Sequence, residues 1–213
     1  VSTLTSLVVK YLGSQEYTVT WQAMKAFTDA RNEQTLDECW VVEHPPVFTL
    51  GQAGKAEHIL QQSAIPIVNS DRGGQVTYHG PGQIVVYLLV NIKRKSITVR
   101  DFVAFIEQAL ISALNAYGIN AELKKGAPGV YVKGDKIASL GLRVRKGCTY
   151  HGLSLNVDMN LSPFKQINPC GYEGLVITQM ANLLNTVPVI HDVESVLLDN
   201  ICKYLSCELI PAS

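Results

Sequence analysis

The chain has 213 residues, 47% of them hydrophobic and 17% charged, which predicts one packed globular domain over residues 1–213 and excludes a disordered chain. Its formal net charge of zero argues against nucleic acid as the main partner, because phosphate binding leaves a basic excess. The first residues, Val1-Ser2-Thr3, lack the basic-then-apolar pattern of a secretory signal.

In chain order, a strand is expected over residues 6–11, then a helix over 17–32 with Trp21, Met24 and Phe27 at helical spacing. A strand over 39–43 follows, stopped by Pro45-Pro46, which have no N–H to give a sheet. Residues 65–69 read as a short strand entering the loop Asp71-Arg72-Gly73-Gly74. Residues 75–79 and 83–91 read as two strands joined by the tight turn Gly80-Pro81-Gly82. The longest wholly apolar run, 84–90, lies in the second of these. A membrane-crossing helix needs about twenty such residues, so the run predicts a buried strand and no membrane span. Thr98 with Asp101 has the form of a capping box. It opens a long helix whose apolar stripe runs through Phe102, Ile106, Leu110 and Leu114 to a stop at Gly118. Three strands, 129–133, 137–145 and 148–157, are separated by the turn pairs Gly134-Asp135 and Lys146-Gly147. Two amphipathic helices, 177–184 and 193–205, close the chain. Strand-rich blocks with segregated helices predict an α+β fold, a mixed or antiparallel sheet flanked by helices.

Three segments can carry chemistry. The first is Arg72-Gly73-Gly74-Gln75-Val76-Thr77-Tyr78-His79-Gly80-Pro81-Gly82-Gln83. Its glycines let backbone approach a ligand closely, among Arg, Thr, Tyr and His side chains. No Gly-Lys-Ser/Thr follows, so it is not a P-loop; the bland alternative is a glycine-rich hairpin. The second is Lys136-Ile137-Ala138-Ser139-Leu140-Gly141. Alternation puts Lys136, Ala138 and Leu140 on one face, so an inward Ala138 and Leu140 turn Lys136 towards a pocket; otherwise it is an ordinary edge charge. The third is Asn168-Pro169-Cys170-Gly171.

The cysteines number five, with no Cys-x-x-Cys and no histidine-rich spacing. That predicts reduced thiols in a cytoplasmic protein, neither a disulfide framework nor a metal site. Cys39 and Cys202 have apolar neighbours and read as small core residues. Cys170 departs from them, because turn and polar residues surround it. A nucleophilic thiol must ionise, and an ordinary cysteine with a pKa near ~8.5 is only a few per cent thiolate at neutral pH. A nearby ammonium favours the thiolate, and Lys136 can supply one. His79 and His151 compete for that role, and histidine is the commoner partner of a catalytic cysteine. The residues alone lean slightly towards histidine.

Taken together the motifs resemble the lipoyl(octanoyl) transferase family, the octanoyltransferases of lipoate biosynthesis in the biotin/lipoate protein ligase superfamily. The pattern starts at His44-Pro45-Pro46-Val47-Phe48-Thr49 and continues through the Arg72–Gln83 segment. Ala127-Pro128-Gly129-Val130-Tyr131 and Lys136–Gly141 follow, then Thr149-Tyr150-His151-Gly152-Leu153-Ser154-Leu155-Asn156-Val157 and Ile167-Asn168-Pro169-Cys170-Gly171. One motif is modest evidence; the ordered set is specific. The ends of the chain carry none of them.

The resemblance implies an acyltransferase with a biotin/lipoate protein ligase-like catalytic domain, needing no cofactor and no metal. It implies that Cys170 attacks the octanoyl thioester of an acyl carrier protein and holds the acyl group, while Lys136 takes up or stabilises the thiol proton. A lysine of a lipoyl domain, on 2-oxoacid dehydrogenase E2 subunits or glycine cleavage H protein, then displaces Cys170 and leaves an amide. Substrate binding is implied for Arg72, Gly73, Gly74, Gln75, Val76, Thr77, Tyr78 and His79, for Ser139, Leu140 and Gly141, and for Gly152, Leu153 and Ser154, with His151 in support.

Val76, Tyr78, Leu140 and Leu153 are candidate linings of an acyl tunnel. Backbone N–H groups near Cys170-Gly171 or Leu140-Gly141 are candidate oxyanion donors. Two basic groups, Lys93-Arg94-Lys95 with Arg100 and Arg143 with Arg145, are either docking patches for an acidic carrier protein or ordinary solvated faces. The competing readings are an ATP-dependent lipoate or biotin ligase, which needs no acyl-carrying thiol, and a non-catalytic acyl- or lipoyl-binding module.

Overall fold

A computed structural model describes residues 5–212; Val1-Ser2-Thr3, read above for a secretory pattern, lie outside the described residues. The chain begins with β1 (Thr5–Ser14), α1 (Tyr17–Ala30) and β2 (Asp37–Glu43). Next, β3 (Val47–Leu50), β4 (Ile67–Asn69) and β5 (Val76–His79) form a small sheet in the order β4-β3-β5. After β6 (Gln83–Leu89) and α2 (Val99–Ala116) come β7 (Glu122–Lys124), β8 (Ala127–Val132), β9 (Asp135–Arg145) and β10 (Cys148–Asn156), each antiparallel to the one before. The last elements are α3 (Ile190–Leu205) and β11 (Cys207–Pro211). The large sheet has the order β11-β1-β2-β6-β10-β9-β8-β7. It is mixed, since β1 runs parallel to both β11 and β2 while the other pairs are antiparallel.

Burial on both faces explains why 84–90 shows no polar alternation. Cys39, Val41, Ile84, Val86 and Leu88 pack in one cluster with Phe102, Ile106, Leu110, Leu197 and Ile201 of α2 and α3. Trp40, Val42, Val85, Tyr87 and Leu89 pack in another with Met24, Trp21 and Phe27 of α1. Each such side chain contributes roughly 1.5–3 kcal/mol by leaving water. The capping box forms as expected: the Asp101 N–H donates to Thr98 Oγ1 at 3.1 Å and the Thr98 N–H donates to Asp101 Oδ2 at 3.0 Å. Among the described residues no helix is long and apolar enough to cross a membrane.

Several boundaries differ from the sequence reading. β3, β7 and β11 are additional strands. β3 begins directly after Pro46, where the chain leaves the large sheet and starts the small one. β7 is exposed at every residue, so it has no apolar signal to read. The turn before β9 is Lys133-Gly134, with φ of 52° and 90°, because Asp135 is already paired with Val132. No helix covers 177–184. The Thr178 N–H is drawn to Lys136 O and the Thr178 carbonyl accepts from Asn156 Nδ2, leaving one 3-10 turn at Met180–Asn182.

Two buried polar arrangements tie the layers. Asp37, 1% exposed, accepts from Arg31 Nη2 at 2.6 Å, Arg94 Nη2 at 2.7 Å and the Asn91 N–H at 2.8 Å. Arg94 is therefore a structural cation within the basic group at 93–95. Where the sheets meet, His44 Nδ1–H donates to Gln15 O at 2.6 Å and its Nε2 accepts from Tyr87 OH at 2.7 Å. His79 Nδ1–H donates to Gln83 Oε1 at 2.7 Å and its Nε2 accepts from Thr49 Oγ1 at 3.4 Å. Both rings are neutral in these roles. Burial, reinforced by His44, pushes His79 down to about 3.

Asp37→Ala leaves two guanidinium groups without their anion and is expected to cost about 3–5 kcal/mol in urea unfolding. The His79 shift sets a pH dependence. Its folded pKa lies below the unfolded value, so its contribution is complete above about pH 6.5 and lost as the pH falls towards 3. Stability is expected to fall by up to about 1.4 kcal/mol per pH unit in that window. His79→Gln is expected to flatten the slope in denaturant titrations at pH 7, 6 and 5.

Candidate active site

The site is built where three segments share one ladder. Tyr131 of β8 pairs with Lys136 on one edge of β9. On the other edge the Lys136 N–H donates to Val176 O at 2.9 Å, and the Thr178 N–H donates to Lys136 O at 2.9 Å. The 176–178 stretch ends the loop that carries Cys170, so backbone pairing fixes both residues in one frame. A bulge lies between the Val130–Ala138 and Tyr131–Lys136 pairs, with Ile137 as the extra residue. Simple alternation therefore fails here: Ala138 joins the core cluster, while Lys136 and Leu140 line the cavity.

Cys170 occupies a 3-10 turn, Pro169–Gly171, with φ of 57°. A left-handed conformation costs a non-glycine residue about 1–2 kcal/mol. The turn is held by the Asn168 N–H donating to His58 O at 2.8 Å and the Gly171 N–H donating to Asn168 O at 2.9 Å. The latter bond removes the Gly171 N–H from the oxyanion candidates. Cys170 is half-buried, while Cys39, Cys148, Cys202 and Cys207 are all buried. Lys136 is 2% exposed, and its Nζ donates to Cys170 Sγ at 3.0 Å and to Pro128 O at 2.7 Å.

Beside this pair opens a cavity of about 370 Å³. Of the residues singled out above, all but Tyr78 line it: Cys170, Lys136, Arg72 to Thr77, His79, Ser139 to Gly141 and His151 to Ser154. Tyr78 packs in the core of the small sheet, with its ring 5.6 Å from Phe48 and 5.4 Å from Phe164 between centroids. Of the candidate acyl-tunnel residues, Val76, Leu140 and Leu153 line this cavity and Tyr78 does not. Val85, Tyr87, Val99, Val103 and Leu142 add to the walls. Gly152 is needed where β10 meets β6, because a Cβ there would collide with the Val86 carbonyl.

The histidines are engaged elsewhere. His151 Nε2–H donates to Asp71 Oδ1 at 2.9 Å, and Asp71 also accepts from Trp21 Nε1 at 2.7 Å and from Tyr150 OH. Burial raises the Asp71 carboxyl, but these three donors outweigh it and hold it well below the usual carboxylate range. Burial pushes His151 down despite Asp71. Arg72, 8% exposed, spends its guanidinium on Thr49 Oγ1 at 3.0 Å, Gln75 O at 2.7 Å and Gly73 O at 2.9 Å. It thereby folds its own glycine loop against the cavity. Pro128 stands within a sequence motif and Asp71 adjoins one, whereas His58 carries no signal in the sequence.

The family model of the lipoyl protein ligase A/B catalytic domain matches residues 16–202. The chain is 62% identical over 177 residues to an octanoyltransferase of Vibrio vulnificus, covering 83% of this chain and 81% of that protein. It is 57% identical over 202 residues to an octanoyltransferase of Xanthomonas axonopodis pv. citri, covering 95% and 87%. Its fold is similar to that of a lipoate protein ligase of T. acidophilum with bound lipoic acid, at TM-score 0.78 and 13% identity over 98% of this chain and 89% of that one. The α+β architecture, the ordered motifs and these matches agree, and the chain belongs to the lipoyl protein ligase A/B catalytic domain family.

Proposed function

We propose that the chain is an octanoyltransferase of protein lipoylation, working through a thioester on Cys170. The observation that carries this reading is the 3.0 Å contact between Lys136 Nζ and Cys170 Sγ beside a largely apolar cavity. In the first half-reaction the Cys170 sulfur attacks the carbonyl of an octanoyl thioester on acyl carrier protein. The carrier thiolate leaves and takes the proton that Cys170 gave up, relayed by Lys136. In the second, a lysine amine of a lipoyl domain attacks the acyl-enzyme. An amide forms, Cys170 leaves as a thiolate, and the amine's surplus proton goes to Lys136, which is an ammonium again beside it. Lipoyl domains of E2 subunits and H protein are the acceptors on this reading. The cytoplasm is its place, where a working thiol stays reduced.

Energetics support the scheme without ATP. Exchange between thioesters is near isoenergetic, and conversion of a thioester to an amide is downhill. Splitting the transfer in two is what a covalent nucleophile offers. The acyl chain gains roughly 0.8 kcal/mol for each CH₂ buried against Val76, Leu140, Leu153 and their neighbours. An adenylating ligase or a passive binding module has no use for a half-buried thiol held against an ammonium.

Incubation with octanoyl-acyl carrier protein, with no ATP present, is expected to place one octanoyl increment on the Cys170 peptide by mass spectrometry. Cys170→Ala is expected to lower transfer about a thousandfold or more, while Cys39→Ala retains it. An absent increment under turnover conditions overturns the covalent route, and strict ATP dependence restores the ligase reading.

Donor docking is assigned to the β9 face near the cavity. Arg143 donates to Gln52 at 2.6 Å, and Arg145 meets Asp29 in an exposed ion pair at 3.0 Å. Exposed pairs of this kind are worth about 0–1 kcal/mol, so both cations stay available to an acidic partner. Charge reversal at the two arginines is expected to slow transfer from the carrier protein much more than from a small octanoyl thioester. Equal loss with both donors rules the patch out.

A further inference from the structure

The Ala127-Pro128-Gly129-Val130-Tyr131 motif has no role in the scheme above, yet it surrounds Lys136. An ammonium has three N–H bonds to place. Lys136 donates one to Cys170 Sγ at 3.0 Å and one to Pro128 O at 2.7 Å. Its Nζ lies 5.5 Å from the Tyr131 ring centroid, within range of a cation–π contact. The Tyr131 hydroxyl is buried and has no hydrogen-bond partner among the described residues, so the ring is what the site uses. Gly129 makes the passage possible. A Cβ at that position would sit 2.5 Å from Lys136 Cε, 3.0 Å from Nζ and 2.7 Å from Ala138 O. Its φ of 123° is one that side-chain-bearing residues rarely adopt. The Gly129 N–H is in turn held by Glu107 Oε1 of α2 at 3.2 Å.

The geometry points to Gly129 and Tyr131 as positioning residues for the acyl-transfer step: Gly129 opens a channel for the Lys136 side chain, and the Tyr131 ring holds its ammonium against Cys170. This rests on the Cys170–Lys136 reading and deepens it. A carbonyl and a π face both orient an ammonium, and neither takes its proton. Lys136 regains its ammonium form with the proton that the attacking amine releases in the second half-reaction. That form is the one that stabilises Cys170 as a leaving thiolate.

The test is the rate of alkylation of Cys170 by iodoacetamide from pH 6 to 9, read on the Cys170 peptide, in the full chain and its variants. Lys136→Met sets the scale, with an expected loss of about tenfold or more at pH 7, or about 1.4 kcal/mol. Tyr131→Leu is expected to slow alkylation about fivefold and displace the profile to higher pH, whereas Tyr131→Phe keeps the ring and stays within about twofold of the parent. Gly129→Ala is expected to follow Tyr131→Leu. A displaced profile in Lys136→Met with a parental one in Tyr131→Leu overturns the positioning role and leaves the Cys–Lys pair intact. A parental profile in Lys136→Met overturns both. Loss of the profile in Tyr131→Phe as well as Tyr131→Leu assigns the effect to the hydroxyl or to packing and overturns the ring's role. Thermal melts of each variant separate misfolding from loss of position.

Discussion

The site depends on one buried cation. Lys136 is 2% exposed, and a charge so placed persists only with partners that replace its water. The fold supplies them by backbone pairing rather than by a carboxylate. β8 on one edge and the 176–178 stretch on the other clamp the main chain of Lys136, and the clamp brings Pro128 O and Cys170 Sγ to the Nζ. A carboxylate there would compete with the thiolate for the same cation. An uncharged carbonyl steadies the ammonium and leaves its field for the sulfur.

The large scale of this arrangement is legible in the sequence because it rests on hydrophobic pattern. Strand 84–90 is apolar on both faces, and Thr98 with Asp101 marks the start of α2. What fails to read is whatever depends on partners distant in the chain. The 177–184 stretch has helical composition, but Lys136 captures its backbone from 42 positions earlier in β9, and a local pattern cannot see that. β7 is fully exposed and has no pattern. The bulge beside Ile137 defeats alternation, although Lys136 still reaches the cavity. Within the site, glycine and turn residues flagged the segments, whereas Tyr78 was carried along by its neighbours and faces Phe48 and Phe164 instead.

The cavity has apolar and polar walls, and both sheets contribute to each. Val76, Leu140, Leu153 and Val103 give it apolar walls, while Tyr17, His79, Tyr87 and His151 bring polar groups whose hydrogen bonds are largely turned away from it. Tyr17 binds Ser70, His44 binds Tyr87, and His151 binds Asp71. Such satisfied groups can wall an apolar ligand without the cost of an exposed donor. They also rigidify the lining, because each ring is fixed by a bond behind it.

That same network favours the proposed lysine over histidine as the partner of Cys170. A histidine acting as base must keep one nitrogen free and be able to carry charge. His79 has both nitrogens bonded and sits in a site that drives off its proton. His151 has Nδ1 without a partner, but burial opposes its cation, and its bonded nitrogen faces Asp71. The buried Arg72 guanidinium further opposes charging of both rings. Lysine escapes these limits because its side chain enters the site along a channel with its own acceptors. The general preference for histidine beside a catalytic thiol gives way here to a local fact: the only ammonium bonded to the Cys170 sulfur among the described residues is that of Lys136.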